Sequence, residues 1–277
     1  MSNWKHIAIV LAAGRGKRMH TQTAKQYLLL RDRPVLYYSL RAFQDSFVDS
    51  IILVAGEDET DYCRREIVEK YGFSKVRDIV AGGRERYHSV YEGLKAAQKL
   101  AGRTVCGFSD DAESGMSGGL RNGSVLTGGI STGTVAGNRT AVYIHDGARP
   151  FITEEILLRL KESVEQYGSA VAAMPVKDTI KLADADGFVT STPDRTKTWQ
   201  VQTPQCFDFD RIYPAYRRLI EEEEPLFAQG VHITDDAMAA ELYGDGKVHL
   251  VEADYRNIKI TTPEDLAVAE RFLQDIV

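Results

Sequence analysis

Two glycines and several basic residues follow the first apolar run of the chain. The stretch IVLAAGRGKRMHTQTAKQY contains Gly14 and Gly16, with Arg18 and Lys25 close behind them. Glycine allows backbone N–H groups to approach a ligand closely, and basic side chains stabilise an anion beside them. Such a loop suits a ligand with several negative charges, for example a triphosphate. The pattern therefore predicts an anion-binding loop.

Two familiar phosphate-binding motifs do not fit this loop. The dinucleotide motif G-x-G-x-x-G needs a third glycine, where the chain has Met19, and an acidic residue about twenty positions further on, where it has PVLYYSL. A P-loop needs a longer gap between its glycines and a Ser or Thr after its lysine, whereas here Arg18 follows Lys17. A nicotinamide dehydrogenase is therefore a poor alternative.

The composition of the 277-residue chain is that of an ordinary globular protein. Hydrophobic residues make up 43%, enough for a full core. The formal charge of −6 gives no overall attraction to nucleic acid or to an anionic membrane, and we expect neither as a partner. The N-terminal apolar run is too short for a secretory signal or a membrane span, which favours a cytoplasmic location. Cys63, Cys106 and Cys206 lack metal-site spacing, which favours reduced thiols.

Short apolar runs alternate with amphipathic stretches along most of the chain. The apolar runs are HIAIVLA, SIILVA, KVRDIVAG, TAVYIHD and SAVAAMPV, and a helical pattern follows each of the first four. This βαβ rhythm predicts an α/β fold with a Rossmann-like, doubly wound and mostly parallel sheet, in a single domain over residues 1–277. Ligands bind beyond the carboxyl ends of such strands, where the loops AAGRGKRM, AGGRER and HDGARP fall.

Two segments break this rhythm. Residues 177–202 alternate around Asp186-Gly187, a hairpin turn signal, and predict a β-arm that projects from the sheet. Because an isolated hairpin is only marginally stable, we expect another surface to cover it. Residues 107–137 are rich in glycine, serine and threonine, and this composition predicts a flexible surface insertion.

Eight motifs occur in order along the chain. They are A-A-G-x-G-x-R-M, K-Q-Y, G-G-x-x-R-x-x-S-V-x-x-G-L, H-D-x-A-R-P, P-V-K-D-T-I-K, Q-T-P-Q-x-F, T-D-D and N-I-K-I-T-T-P-E-D-L. In these motifs the chain resembles the 2-C-methyl-D-erythritol 4-phosphate cytidylyltransferases of the non-mevalonate isoprenoid pathway, from about residue 5 to the C-terminus apart from the glycine-rich insertion. The resemblance implies transfer of CMP from CTP to a sugar-alcohol phosphate, with release of pyrophosphate.

The resemblance also implies roles for individual residues. The residues implied for the CTP triphosphate are Ala12, Ala13, Gly14, Gly16, Arg18 and Lys25. Those implied for the cytosine are Gly83 and Ser89, and Asp146 would bind Mg²⁺ as the cofactor. Those implied for methylerythritol phosphate are Thr179, Arg195, Thr203, Thr234 and Lys259.

Three residues depart from the family pattern. Ala24 stands where a proline usually precedes Lys-Gln, Gly147 replaces an alanine, and Arg84 occupies a position that is often acidic. The first two should loosen their loops, and the third adds positive charge near the nucleotide.

The chemistry of such a transfer agrees with these residue types. A phosphate monoester is already anionic near neutral pH, so it needs no general base, and the sequence offers no convincing Ser-His-Asp or Cys-His set. The barrier is charge repulsion, which magnesium on Asp146 and the cations Lys25 and Lys259 would offset. Each of these residues also has a purely structural interpretation. Asp146 could cap a turn, Lys259 could face solvent, and Thr234 with its acidic neighbours could form a helix N-cap.

Three further expectations concern alternatives and assembly. Ribitol 5-phosphate cytidylyltransferases have closely similar glycine and Q-T-P-Q motifs, although PVKDTIK and NIKITT favour methylerythritol phosphate. A nucleotide-binding module that lost activity is the alternative outside the enzymes. A two-fold homodimer, in which each arm reaches across to the partner's site, would cover the hairpin and place Arg195 on a substrate.

Overall fold

The computed structural model describes residues 4–14, 24–102, 139–244 and 246–274. Within these ranges the strands of the central sheet are β1 (Trp4–Ala12), β4 (Ser50–Ala55), β5 (Val76–Ala81), β6 (Arg139–Asp146), β7 (Ser169–Pro175), β10 (Trp199–Asp208) and β11 (Leu250–Glu252). Two small ribbons lie outside this sheet, formed by β2 (Leu29–Leu30) with β3 (Arg33–Pro34) and by β8 (Leu182–Ala183) with β9 (Val189–Ser191).

The central sheet is mostly parallel. Its strand order is β11-β7-β10-β6-β1-β4-β5. Strands β5, β4, β1 and β6 run parallel to one another, whereas β10 is antiparallel to both β6 and β7. The chain places β4 and β6 on opposite sides of β1, so a crevice forms beyond the carboxyl end of β1. The predicted Rossmann-like α/β fold is confirmed.

Helices cover both faces of the sheet. Their bounds are α1 (Val35–Gln44), α2 (Thr60–Tyr62, continued as a π-helix over Cys63–Glu69), α3 (Arg86–Leu100), α4 (Glu154–Tyr167), α5 (Phe209–Glu221), α6 (Glu223–Ala228), α7 (Asp236–Tyr243) and α8 (Pro263–Gln274). Successive residues of β1 point to opposite faces: Ala8 and Val10 pack with α1 and α4, and Ile7 and Ile9 pack with α3 and α5. Burial on both faces explains why this strand reads as a continuous apolar run.

The predicted β-arm is present as the hairpin β8–β9. Asp184 organises the turn, because its carboxylate accepts from the N–H of Phe188 at 2.9 Å. Gly187 has a φ of 88°, in the left-handed region that glycine adopts most easily. The predicted range 177–202 extends past the hairpin, since Trp199 and the residues after it pair with β7 in the central sheet.

Some predictions lie outside the described residues. The segment 107–137, Gly16, Arg18 and Cys106 are among them. In the described part of the chain Cys63 and Cys206 are buried and form no disulfide. None of the described helices combines the length and the apolar composition that a membrane crossing requires.

Candidate functional site

A cavity of about 1140 Å³ opens where the predicted loops meet. Its walls come from the carboxyl ends of β1, β4, β5 and β6, from the turn at Lys25 and from the segment at Lys259. The sequence-predicted residues that line it are Ala12, Ala13, Gly14, Lys25, Gly83, Ser89, Asp146 and Lys259. Parallel strands deliver these residues to one edge of the sheet, as expected for this fold.

Two hydrogen bonds fix the end of β1 at the cavity. The buried side chain of Gln26 donates from Nε2 to the Ala12 carbonyl at 2.5 Å. The N–H of Gly147 donates to the Leu11 carbonyl at 2.8 Å. Gln26 belongs to one turn of 3₁₀ helix (Lys25–Tyr27), so its anchorage also holds Lys25 at the cavity wall.

Asp146 is a buried carboxylate in the wall of the cavity. Its Oδ1 lies 3.3 Å from Arg86 Nε and its Oδ2 lies 2.7 Å from Lys259 Nζ. Burial alone would raise the pKa of this carboxyl, but the charges of Arg86 and Lys259 outweigh it and hold the pKa well below its usual range. Asp146 is therefore ionised at neutral pH and is held by cations rather than serving as a turn cap.

Lys259 reaches Asp146 because its segment is tied to the turn after β6. The N–H of Ile260 donates to the Ala148 carbonyl at 2.9 Å, and Arg149 Nη1 donates to the Asn257 carbonyl at 2.7 Å. Arg149 thus joins this turn to the segment that carries Lys259. The segment is not part of a strand. The ammonium of Lys259 is paired with Asp146 and does not simply point into solvent.

Thr203 and His145 position Asp146 from the inside of the sheet. The N–H of Asp146 donates to Thr203 Oγ1 at 3.0 Å, and Thr203 Oγ1 lies 3.1 Å from His145 Nδ1. Burial lowers the pKa of His145 to about 4, so its ring is neutral near pH 7. The hydroxyl of Thr203 then donates to Nδ1, while Nε2–H donates to the Arg149 carbonyl at 3.1 Å. Both ring nitrogens of His145 and the hydroxyl of Thr203 are therefore hydrogen-bonded.

Arg86 connects Asp146 to a second carboxylate. Its Nη1 and Nη2 donate to the two oxygens of Asp236 at 2.8 Å each, while its Nε faces Asp146. Asp236 is fully buried and also accepts from the hydroxyl of Tyr216. Burial alone would lower the pKa of Arg86, but the two carboxylates raise it well above the ordinary value. Arg86 is therefore a cation in the cavity wall, although sequence reasoning gave it no role.

The turn between β5 and α3 carries the residues predicted to contact the base. The N–H of Gly83 donates to Ser89 Oγ at 3.1 Å. A Cβ at Gly82 would come within 2.5 Å of Ala13 Cβ, and one at Gly83 within 2.4 Å of His88 Cβ. Neither position has room for a side chain, because Gly82 packs against the loop after β1 and Gly83 packs against the first turn of α3.

The comparisons with known proteins agree on one family. The family model described as 2-C-methyl-D-erythritol 4-phosphate cytidylyltransferase matches residues 6–112 and 115–275. The chain belongs to this family. Relatives with that description include one from Lachnospira eligens, 44% identical over 268 residues that cover 96% of this chain and 98% of the relative. Another, from Caldanaerobacter subterraneus, is 40% identical over 96% of this chain and 98% of its own length.

Solved structures of the family share the fold. The 4-diphosphocytidyl-2C-methyl-D-erythritol synthase of Anaerococcus prevotii is 31% identical, with a TM-score of 0.71 over 98% of this chain and 97% of that one. The family match also continues on both sides of residues 113 and 114, so it includes most of segment 107–137. The exclusion of that segment from the resemblance was therefore wrong.

The residues predicted to bind the acceptor are not brought together in a single chain. Thr179 and Arg195 lie on or beside the arm and are exposed. Thr234 is also exposed, next to Asp235, which caps α7 by accepting from the N–H of Met238 at 3.0 Å. Thr203 is buried behind Asp146. Of the predicted acceptor residues, Lys259 is the one that lines the described cavity.

Two departures from the family pattern have clear structural outcomes. Gly147 is tightly packed, since a Cβ there would come within 2.8 Å of Leu36 Cδ1 and 2.9 Å of the Leu11 carbonyl. The expected loosening at Gly147 is therefore absent. Arg84 points at Glu223, with Nη2 3.1 Å from the carboxylate. For Ala24, its carbonyl accepts from the N–H of Tyr27 at 2.9 Å and closes the 3₁₀ turn.

The described residues contain no cluster of three metal-binding side chains. A magnesium ion at this cavity would therefore take most of its ligands from phosphates and water, which is how Mg²⁺ commonly binds beside nucleotides. Asp146 fits such an ion because it is ionised and lines the cavity, and carboxylate oxygens keep further lone pairs beside the contacts to Arg86 and Lys259.

Proposed function

We propose that the protein transfers CMP from CTP to 2-C-methyl-D-erythritol 4-phosphate and releases pyrophosphate. The observation that carries this function is the cavity at the strand ends, which is lined by Lys25 and by an ionised Asp146 paired with Lys259, beside the end of β1 and Gly14. A concave site lined by several cations suits a triphosphate and a second phosphate together. Membership of the cytidylyltransferase family supports the same substrates.

The reaction is one displacement at phosphorus. A phosphate oxygen of the acceptor forms a bond to the α-phosphorus of CTP, and the bond from that phosphorus to pyrophosphate breaks. Pyrophosphate leaves with the bonding electron pair. The nucleophile is already ionised, so the protein's task is to place two anions together and to offset their charge.

Each proposed residue has a place in that task. Ala12, Ala13 and Gly14, with Gly16 and Arg18 beyond the described range, would bind the triphosphate, while Lys25 would neutralise it. Lys259 would bring its ammonium to the reacting phosphates. Gly83 and Ser89 would contact the base. Magnesium held by Asp146 would add a Lewis acid that draws charge from the phosphate oxygens.

A substrate panel tests this function. Pyrophosphate release is measured with each of the four nucleoside triphosphates, paired with methylerythritol phosphate or with ribitol 5-phosphate. We expect an appreciable rate of pyrophosphate release only for the pair of CTP and methylerythritol phosphate. Preferential turnover of ribitol 5-phosphate would replace the acceptor, and the absence of turnover with every pair would indicate a nucleotide-binding module.

We also propose that the protein acts as a homodimer through the arm. The hairpin exposes large apolar side chains, with Leu182 52%, Phe188 73% and Val189 58% accessible to solvent. A two-stranded hairpin needs a partner surface for stability. Thr179 and Arg195 are exposed on this side, so a second copy that covers the arm would receive them at its own site.

Mixed dimers test this arrangement. Lys25→Ala and Arg195→Ala, each inactive alone, are unfolded and refolded together in equal amounts. If Arg195 serves the partner's site, half of the dimers are mixed and each contains one intact site, so about a quarter of wild-type activity returns. Each variant refolded alone is the control. A mixture that forms heterodimers but stays inactive would show that Arg195 does not act across the interface.

A further inference from the structure

One carboxylate outside the cavity contacts both the turn before α3 and the first turn of that helix. Glu223, the first residue of α6, accepts from Arg84 Nη2 at 3.1 Å and from the Tyr87 hydroxyl at 3.0 Å. It also lies 2.9 Å from His88 Nε2. Three donors from a span of five residues therefore meet one side chain from a different element of the fold.

The hydrogen bonds of the His88 ring place its proton on the nitrogen that faces Glu223. The N–H of Glu85 donates to His88 Nδ1 at 3.3 Å, so Nδ1 is an acceptor. In the neutral ring the proton then sits on Nε2 and points at Glu223. The contact does not require a protonated histidine, and the histidine contributes to the capping box that begins α3.

The three contacts differ in exposure. The Glu223 side chain is 19% exposed and Tyr87 is buried, whereas the Arg84 side chain is 71% exposed. Burial and the hydrogen bond to Glu223 raise the pKa of Tyr87 to about 12, so its hydroxyl stays a donor at neutral pH. Solvent screening weakens the Arg84 pair, which leaves Tyr87 and His88 as the stronger anchors.

The cavity side of the same turn presents the residues proposed to contact the base. Ser89 Oγ accepts from the N–H of Gly83 and faces the Glu85 carbonyl at 3.3 Å. Glu223 and Ser89 thus both make hydrogen bonds to the segment from Gly83 to His88. A shift of Tyr87 and His88 would carry Ser89 with it, because all three lie in the first turns of α3, and would carry Gly83 through its hydrogen bond to Ser89.

We propose that Glu223 is a positioning residue that sets the preference of the site for cytosine. This inference rests on the proposed function. Cytosine and uracil have the same shape but exchange a donor for an acceptor at one edge, so a site distinguishes them through hydrogen-bonding groups held in fixed places. Glu223 keeps those groups in place without touching the nucleotide.

The test compares Glu223→Gln with the matched control Glu224→Gln. Glu224 is the exposed neighbour, so its variant makes the same change in charge without the three contacts. For Glu223→Gln we expect the ratio of kcat/KM for CTP to that for UTP to fall about tenfold, the effect of one misplaced hydrogen bond. KM for the acceptor should stay within about twofold, since a change in the base-contacting turn leaves the acceptor contacts intact.

A second variant, Tyr87→Phe, tests the same role in case Glu223→Gln does not fold. Tyr87→Phe keeps the ring and removes one anchor, and it should lower the same ratio about threefold, part of the larger effect. An unchanged CTP-to-UTP ratio in both variants, or an equal change in Glu224→Gln, would overturn the role of Glu223. If the wild-type protein itself did not transfer a cytidylyl group, the proposed function would be overturned instead, so the two failures are distinguishable.

Discussion

Replacing Arg86 by methionine should destabilise the protein strongly. The guanidinium makes both hydrogen bonds to Asp236 at 2.8 Å, and Asp236 is fully buried. Methionine has similar length but leaves that carboxylate without its cation. Asp146 also loses a contact but keeps Lys259, so most of the cost arises at Asp236.

The magnitude follows from the burial of the pair. Removing one partner of a buried, hydrogen-bonded ion pair costs about 3–5 kcal/mol, because the other charge is left unpaired in a poorly polarisable surrounding. We expect the lower part of this range, about 3 kcal/mol, since the Arg86 side chain is 29% exposed and Tyr216 still donates to Asp236. In a chain of 277 residues this corresponds to a fall in Tm of about 5 °C in thermal unfolding.

Urea unfolding at pH 7 measures this loss. Arg84→Met is the matched control, because its side chain is 71% exposed and its loss should change the free energy of unfolding by about 0.5 kcal/mol or less. The double variant Arg86→Met with Asp236→Leu should recover part of the stability, since it removes the orphaned charge. A loss below about 1 kcal/mol in Arg86→Met would refute the view that this pair is a buried structural link.

Three other outcomes follow from the site. Lys25→Ala and Asp146→Asn should each lower turnover by about 10²-fold, the scale of one lost electrostatic contact, with circular dichroism unchanged; near-normal turnover in either would show that the phosphates or the metal are misplaced. Folding lowers the pKa of His145 from 6.5 to about 4, so as the pH falls the unfolded chain takes up a proton at this residue before the folded protein does. The free energy of unfolding should therefore fall by about 3 kcal/mol between pH 6.5 and 4, and His145→Gln should flatten that slope in urea titrations; an equal slope would remove His145 as the cause. Gly82→Ala should raise KM for CTP, because its Cβ would collide with Ala13; unchanged CTP kinetics would show that the turn yields at little cost.

The sequence predicted the strands that are buried on both faces. A run such as SIILVA is apolar at every position because, in a parallel sheet covered on both faces, both sets of alternating side chains are buried. Strand β10 did not stand out, since it contains buried polar residues. Gln205 is satisfied only in the folded protein, where it donates to Asp235 at 3.1 Å and accepts from the N–H of Ala237 at 2.8 Å. The residues around Gln205 in the sequence do not predict these partners, which lie about thirty positions further along the chain.

The same reasoning explains what was missed at the site. Gly14 and Lys25 follow β1 and Asp146 ends β6, in stretches whose residue types indicate a phosphate site and a metal site from the sequence alone. The role of Arg86 depends on Asp236, which lies 150 residues further along the chain. Only the packing of α7 against α5 and the turn before α3 brings that pair together. Glu223 was missed for the same reason, because its three donors are 135 or more residues away in sequence.

The fate of the α-phosphorus of CTP tests the central claim most directly. CTP labelled at that phosphorus is incubated with methylerythritol 4-phosphate, and the products are separated. We expect the label in a cytidine diphosphate ester of the acceptor, with unlabelled pyrophosphate as the other product, because the acceptor phosphate attacks that atom. Label recovered in free CMP, or a labelled phosphate released without the ester, would contradict cytidylyl transfer by this site.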